Sequence, residues 1–296
     1  MISNYEQQYI QICKDILKNG YFDNNRTGTP TYKLPHQIIQ VNLQEEFPIL
    51  KSKFVAFKTS VKEILWIMQG NNNVEYLKSQ NCHVWDEWEL EDGTIGTAYG
   101  WIVNNYNQIN NLIDSLKNNP QNRRMMINLW QWDYLKTGAL DPCCFCSMWD
   151  VTKGKLNCML VQRSGDIPLG VPFNTTQYAV LTHVLAELCG LKVGILTHVI
   201  NNAHIYENQI EGIERQLFNF NEMQTYENYP KILFETDTLR NENQKEKIKE
   251  SISYIPKLHL SIKGKEFKDI TSDDISLNGY SVKYGNMGKI EMPVSV

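Results

Sequence analysis

The run from residue 155 to residue 200 limits this chain most. Residues 155–162 have the length and composition of a strand, and they lead into the short polar stretch Arg163-Ser164-Gly165-Asp166. A run of helical length follows at 175–189, apolar at Tyr178, Val180, Leu181, Val184, Leu185 and Leu188 and stopped at Gly190, before a second strand-like run at 195–200. Strand, apolar helix and strand in so short a span call for a sheet flanked by helices, an α/β (α+β) domain. The remaining periodicities fit that class. Helices are expected at 4–18, 57–69 and 106–118, the second with an apolar face of Val61, Ile64, Leu65 and Met68, and a further helix runs from about 206 to 217. Strands are expected at 37–43, 125–130, 147–151 and 254–262. Asn174, directly ahead of the 175–189 run, is in the position of an N-cap, and the charge-rich stretch 237–249 reads as a surface loop.

No repeat, low-complexity tract or linker divides the 296 residues, and with 42% of them hydrophobic one domain over 1–296 can bury a large core. A net charge of −4 offers no bulk attraction for nucleic acid, so no nucleic acid partner is expected. No apolar run approaches the ~20 residues of a membrane span, and the first residues lack a basic-then-apolar signal. The expectation is a cytoplasmic protein with no membrane partner, its seven cysteines reduced.

Chemistry concentrates at Asp141-Pro142-Cys143-Cys144-Phe145-Cys146. No second cysteine or histidine pair lies near at the spacing a zinc site needs, so no metal is expected. A single reactive thiol remains, and because a free thiol titrates near ~8.5 it needs cations close by. Arg163 and the pair Arg123-Arg124 are candidates. Arg163 next to Ser164 suits a phosphate, one charge-assisted fork with one hydroxyl. Arg26 lies among small residues in the turn-rich loop 23–30, which lets an anion approach. Two adjacent arginines at a strand start point to opposite faces, so Arg123 and Arg124 serve one anion only if the backbone twists or a second chain contributes. Trp85 and Trp88 are core or a platform for a flat ligand, and Asn174 is a cap or a reader of a pyrimidine edge.

Taken together these segments resemble the thymidylate synthase family in its own order: Asn25-Arg26-Thr27-Gly28-Thr29, Glu63-Ile64-Leu65-Trp66, Val84-Trp85-Asp86-Glu87-Trp88, Asp92-Gly93-Thr94-Ile95-Gly96-Thr97-Ala98-Tyr99-Gly100, Asn122-Arg123-Arg124, Leu140-Asp141-Pro142-Cys143, Gln162-Arg163-Ser164-Gly165-Asp166, Leu169-Gly170-Val171-Pro172-Phe173-Asn174 and Ala203-His204-Ile205-Tyr206. The resemblance implies a mixed twisted sheet packed back to back in a homodimer. It implies a methyl transfer from 5,10-methylenetetrahydrofolate to carbon 5 of deoxyuridylate (dUMP), through a covalent adduct of Cys143 with ring carbon 6, giving dTMP and dihydrofolate. Catalytic roles fall to Cys143, Glu63, Tyr99, Asn174 and Arg163. The nucleotide falls to Arg26, Arg163, Ser164, Asp166, Asn174, His204 and Tyr206, with Arg123 and Arg124 donated by the second subunit. The folate falls to Lys53, Trp85, Trp88, Asp166, Gly170 and Val296.

The chain departs from the family pattern at Cys144, where many members carry His, at Asn202 in place of Asp, at Pro30 in place of Gly and at Phe54 in place of a basic residue. Trp101 resembles the related pyrimidine nucleotide hydroxymethylases, which hydrate the exocyclic methylene instead of reducing it. The alternatives are therefore a dUMP hydroxymethylase and, against the retained Cys143, Glu63 and Tyr99, a nucleotide-binding homologue without catalysis.

Overall fold

The computed structural model describes residues 2–229 and 240–295. Chain order begins with α1 (Asn4–Asn19), β1 (Tyr21–Asp23), β2 (Thr31–Asn42), α2 (Phe57–Met68), α3 (Val74–Ser79), α4 (Gly100–Asn105) and α5 (Gln108–Asn118). It continues through β3 (Met126–Asn128), β4 (Cys144–Thr152), β5 (Lys155–Asp166), α6 (Gly170–Leu188), β6 (Lys192–Tyr206) and α7 (Ile210–Asn228). A helix over Glu242–Ser253 and two short strands, β7 (Lys257–Leu260) and β8 (Ile275–Asn278), complete the described chain.

β1 to β6 form one mixed sheet in the order β1-β2-β6-β5-β4-β3, in which only the β5–β6 pair is parallel. The connection between that pair is α6, as the strand–helix–strand pattern requires. α6 is buried on almost every side, with Tyr178, Ala179, Val180, Leu181, Val184 and Leu185 at most 3% exposed, which explains why its sequence lacks a polar stripe. α1 is capped by the Ser3 hydroxyl, which accepts from the Glu6 N–H, and it buries Tyr5, Tyr9, Ile10, Cys13 and Ile16.

Helices cover one face of the sheet, while the other carries a register-matched apolar stripe. Ile38, Val199, Val161 and Cys146 are successive cross-strand neighbours, and beside them lie Thr197, Met159, Met148 and Met126. Ile38 is 56% exposed and Met126 48%. Among the described residues no element lies across this face.

Several expectations change. Asn174 is not an N-cap, because α6 starts four residues earlier at Gly170 and draws Asn174 into its second turn. The 106–118 helix is α5, which starts two residues later at Gln108 because its N-cap Asn107 is left-handed, and the short α4 precedes it. Arg123 and Arg124 lie in the turn ahead of β3 rather than within the strand, so the alternation of strand side chains does not govern them. Of the stretch 237–249, residues 237–239 lie outside the described residues. Most of the rest is the helix Glu242–Ser253, begun by an Asn241 capping box, with several of its charges exposed and Lys245 buried. β2 reaches from Thr31 because β6 pairs with it through Tyr206, a long-range partner that local alternation does not reveal.

Candidate active site

β5 and β6 run parallel, and their carboxyl ends open on a cavity of about 260 Å³. Ligand sites favour such strand ends, where the backbone stops pairing and side chains fan out. Asp23, Asn25, Arg26, Thr27 and Thr31 line it on one side. Cys143, Arg163, Ser164, Asp166, Asn202, His204 and Tyr206 form its floor and wall, with Trp88, Leu140 and Ser295 at the rim. Arg26, Cys143, Arg163, Ser164, Asp166, His204, Tyr206 and Trp88, far apart in sequence, thus meet in one place.

Cys143 immediately precedes β4. Its N–H donates to the phenolic oxygen of Tyr99 at 3.2 Å, and its carbonyl accepts from the Arg163 N–H at 2.9 Å. The Arg163 side chain closes the other side. Nε donates to the Pro142 carbonyl at 3.1 Å, Nη2 donates to that of Asp141 at 3.0 Å, and Nη2 stands 3.9 Å from the Cys143 sulfur. The guanidinium also lies over the Trp130 ring, 5.6 Å from its centroid. Burial raises the Cys143 thiol above its ordinary value, while Arg163 and then Arg26 pull it down. The two arginines of this chain offset the burial without overcoming it, which is less activation than cation proximity led us to expect.

Tyr99 has a positive φ of 43°, rare for an aromatic residue. The residue that follows must be glycine, since a Cβ on Gly100 would lie 1.8 Å from the Asn71 carbonyl oxygen. Tyr99, Trp85 and Trp88 pack edge to face, with centroids 5.1 Å and 5.8 Å apart.

Behind the cavity lies a buried polar chain. The Glu63 carboxylate accepts from Trp85 Nε1 at 2.7 Å and from Gln177 Nε2 at 2.6 Å. Gln177 Oε1 accepts from Asn174 Nδ2 at 3.1 Å, and Asn174 Oδ1 accepts from Gln162 Nε2 at 3.2 Å. Gln162 also donates to the Ser164 carbonyl at 2.9 Å and meets His198 Nε2 at 2.7 Å. Desolvation pushes Glu63 up to about 7, against the two hydrogen bonds that favour its ionised form.

Asp166 is tied to the fold at both oxygens, by the Leu169 N–H at 3.0 Å and by Gln209 Nε2 at 3.0 Å. Burial raises its carboxyl, chiefly opposed by the Gln209 bond. Gln209 Nε2 also donates to the Pro293 carbonyl at 3.0 Å and so holds the C-terminal segment beside the cavity. Burial lowers the His204 imidazole, whose Nδ1 is 3.1 Å from the Asn202 side-chain oxygen. Asn202 thus meets His204 with an uncharged side chain.

A family model described as "Thymidylate synthase" matches residues 7–296. The chain belongs to the thymidylate synthase family. A thymidylate synthase of Clostridium beijerinckii is 56% identical over 296 residues, all of both chains. The structure of a thermostable thymidylate synthase A from Bacillus subtilis superposes with a TM-score of 0.80 at 32% identity, covering 99% of each chain. Membership in the thymidylate synthase family makes the chain a methyltransferase with a mixed six-stranded sheet, as expected from its motifs.

The remaining family positions lie differently. Lys53 is only 5% exposed and donates to the Pro168 carbonyl beneath Asp166. Gly170 starts α6 beside Asn174. Arg123 and Arg124 are exposed and do not line the cavity of their own chain. Val296 lies outside the described residues, and its neighbour Ser295 reaches the rim. Gln177, His198 and Trp130 were not singled out in the sequence, because polar or aromatic residues within apolar runs read as core. Trp101 packs on Tyr134 with centroids 4.7 Å apart and does not line the cavity. Among the described residues no group of three or more His, Cys, Asp or Glu could hold a metal ion, and no helix is long and apolar enough to cross a membrane.

Proposed function

We propose that this chain carries out the family's reaction at the cavity below Cys143, converting dUMP and 5,10-methylenetetrahydrofolate into dTMP and dihydrofolate. The observation that carries the reading is the convergence on one cavity of a half-buried thiol, two arginines and the polar groups of β5 and β6. The Cys143 thiolate adds to carbon 6 of the pyrimidine, which makes carbon 5 nucleophilic towards the one-carbon unit. Arg26, Arg163 and Ser164 hold the phosphate, and His204 and Tyr206 hold the sugar hydroxyl. Asn174 reads the base edge, while Glu63 and Tyr99 manage protons. Trp85, Trp88, Asp166, Gly170, Lys53 and the C-terminal Val296 serve the folate side, Lys53 from beneath Asp166 rather than by direct contact.

The reading extends to a homodimer. The exposed stripe of Ile38, Val199, Val161, Met159, Met148 and Met126 is too apolar and too regular for a solvent-facing sheet. Packed against the same face of a second copy, it brings Arg123 and Arg124 towards the partner's cavity, where two more cations act on the Cys143 thiol and the phosphate. This accounts for two exposed arginines that serve no anion in their own chain. The enzyme works in the cytoplasm.

Mass analysis of the product tests the reaction. Purified protein incubated with dUMP and methylenetetrahydrofolate is expected to yield the methyl nucleotide together with dihydrofolate absorbance. A product heavier by one oxygen, without dihydrofolate, would replace this reading with that of a hydroxymethylase.

A further inference from the structure

The chain of amides behind the cavity has a direction, and His198 stands at its far end. From the geometry we infer that His198, held as the neutral Nε2–H tautomer, is a positioning residue that locks the Asn174 amide in the one orientation suited to a uracil edge. This inference rests on the reading of Asn174 as the group that recognises the base.

The direction follows from the Ser164 carbonyl, which can only accept, and from Glu63 in its ionised form. The Ser164 carbonyl, 2.9 Å from Gln162, has no proton to give, so the nitrogen of Gln162 must face it. The oxygen of Gln162 then faces His198 Nε2 at 2.7 Å, and that nitrogen must carry a proton. At the other end the Glu63 carboxylate accepts from the nitrogen of Gln177, which leaves the Gln177 oxygen to accept from Asn174. Between them Asn174 has its oxygen towards Gln162 and its nitrogen towards Gln177. Reversing one member sets lone pair against lone pair at a neighbour, and Gln162, Gln177 and His198 are buried, at most 3% exposed.

The opposite tautomer of His198 fails on this count. With the proton on Nδ1, the ring would donate to the Thr175 hydroxyl at 3.0 Å, and a bare Nε2 would face the Gln162 oxygen. Rotating Gln162 to relieve that contact would press its oxygen against the Ser164 carbonyl. In the Nε2–H form the Thr175 hydroxyl instead has two acceptors, the Val171 carbonyl at 2.7 Å and Nδ1 at 3.0 Å, and no repulsive contact is left. Burial keeps the ring neutral, with its pKa pushed down to about 3.

Uracil presents an N–H beside an acceptor oxygen, whereas cytosine presents an acceptor nitrogen beside an amino group. An amide locked one way round complements one of them, and a freely turning amide complements both. His198 therefore contributes to base choice without touching the base.

Calorimetric binding of dUMP and of dCMP to the full chain, without folate, tests this. His198→Phe keeps an aromatic ring and removes the donor, and it is expected to lower the preference for dUMP over dCMP by about fivefold, the worth of one lost hydrogen bond. His198→Gln keeps a donor at the ε position and is expected to stay within about twofold of the unaltered protein. A preference within about twofold in His198→Phe would overturn the inference. Should that variant not fold, ¹⁵N resonances of the unaltered protein decide, identified by their absence in His198→Gln. A pyrrole-type Nε2 and a pyridine-type Nδ1 are expected, and the reverse would overturn it. Failure of the unaltered protein to bind dUMP would instead overturn the functional reading beneath.

Discussion

The backbone N–H of Cys143 donates to the phenolic oxygen of Tyr99 at 3.2 Å, joining the strained end of a Gly-rich loop to the residue just before β4. Gly100, next to Tyr99, packs against the Asn71 carbonyl at a distance that admits no side chain.

Tyr99→Phe is expected to keep the ring packing on Trp85 and to lose that acceptor. A fully buried N–H left without a partner costs about 1–3 kcal/mol, and this partly buried one falls towards the lower end. Urea unfolding should show a loss in that range, and kcat should fall by roughly tenfold or more with a smaller change in nucleotide affinity.

Cys143→Ser is expected to abolish release of tritium from position 5 of labelled dUMP while nucleotide affinity changes by less than about tenfold, because the arginines and the β5–β6 groups are untouched. Undiminished release would remove Cys143 from the nucleophile's role.

Glu63 links pH to stability. Its folded pKa of about 7 lies above the ordinary value of 4.5, so the native state binds a proton that the unfolded chain has released across that window. The group's contribution is therefore fully present below about pH 4.5 and is lost as pH rises through about 7. Its size is on the order of 3 kcal/mol at most. Glu63→Gln should flatten the decline of stability between pH 5 and pH 7, measured by urea unfolding at fixed ionic strength. An equal decline in both proteins would show that other groups carry it.

Val161→Asp puts a charge in the centre of the exposed stripe. If two copies meet there, sedimentation should shift from dimer to monomer and activity should fall with it. Mixing inactive Cys143→Ser with inactive Arg124→Glu should then restore roughly a quarter of full activity, since half of the randomly formed dimers would hold one complete site. No recovery on mixing would mean that Arg124 does not act across subunits.

Much of the site is readable in the sequence because its residues come in short contiguous sets. Arg163-Ser164-Gly165-Asp166 and His204-Ile205-Tyr206 each place several polar groups at one strand end, and the cysteine cluster stands out against a reduced, scattered background. Helix α1 and helix α2 are likewise legible, since their apolar faces repeat every three to four residues and need no knowledge of the rest of the chain. Asn174 is less so: its position before an apolar run suggests a cap, and only the packing of Gly170 to Phe173 as a helical turn moves it inside α6.

Sequence by itself therefore determined the fold class and the family, both properties of local pattern and of motif order. Tertiary structure decided what those residues do to one another. That Glu63, Gln177, Asn174, Gln162 and His198 form one directed chain depends on α2, α6, β5 and β6 meeting behind the cavity. Hydrogen-bond polarity and burial are set by neighbours distant in the chain, and no local period encodes which neighbours those are.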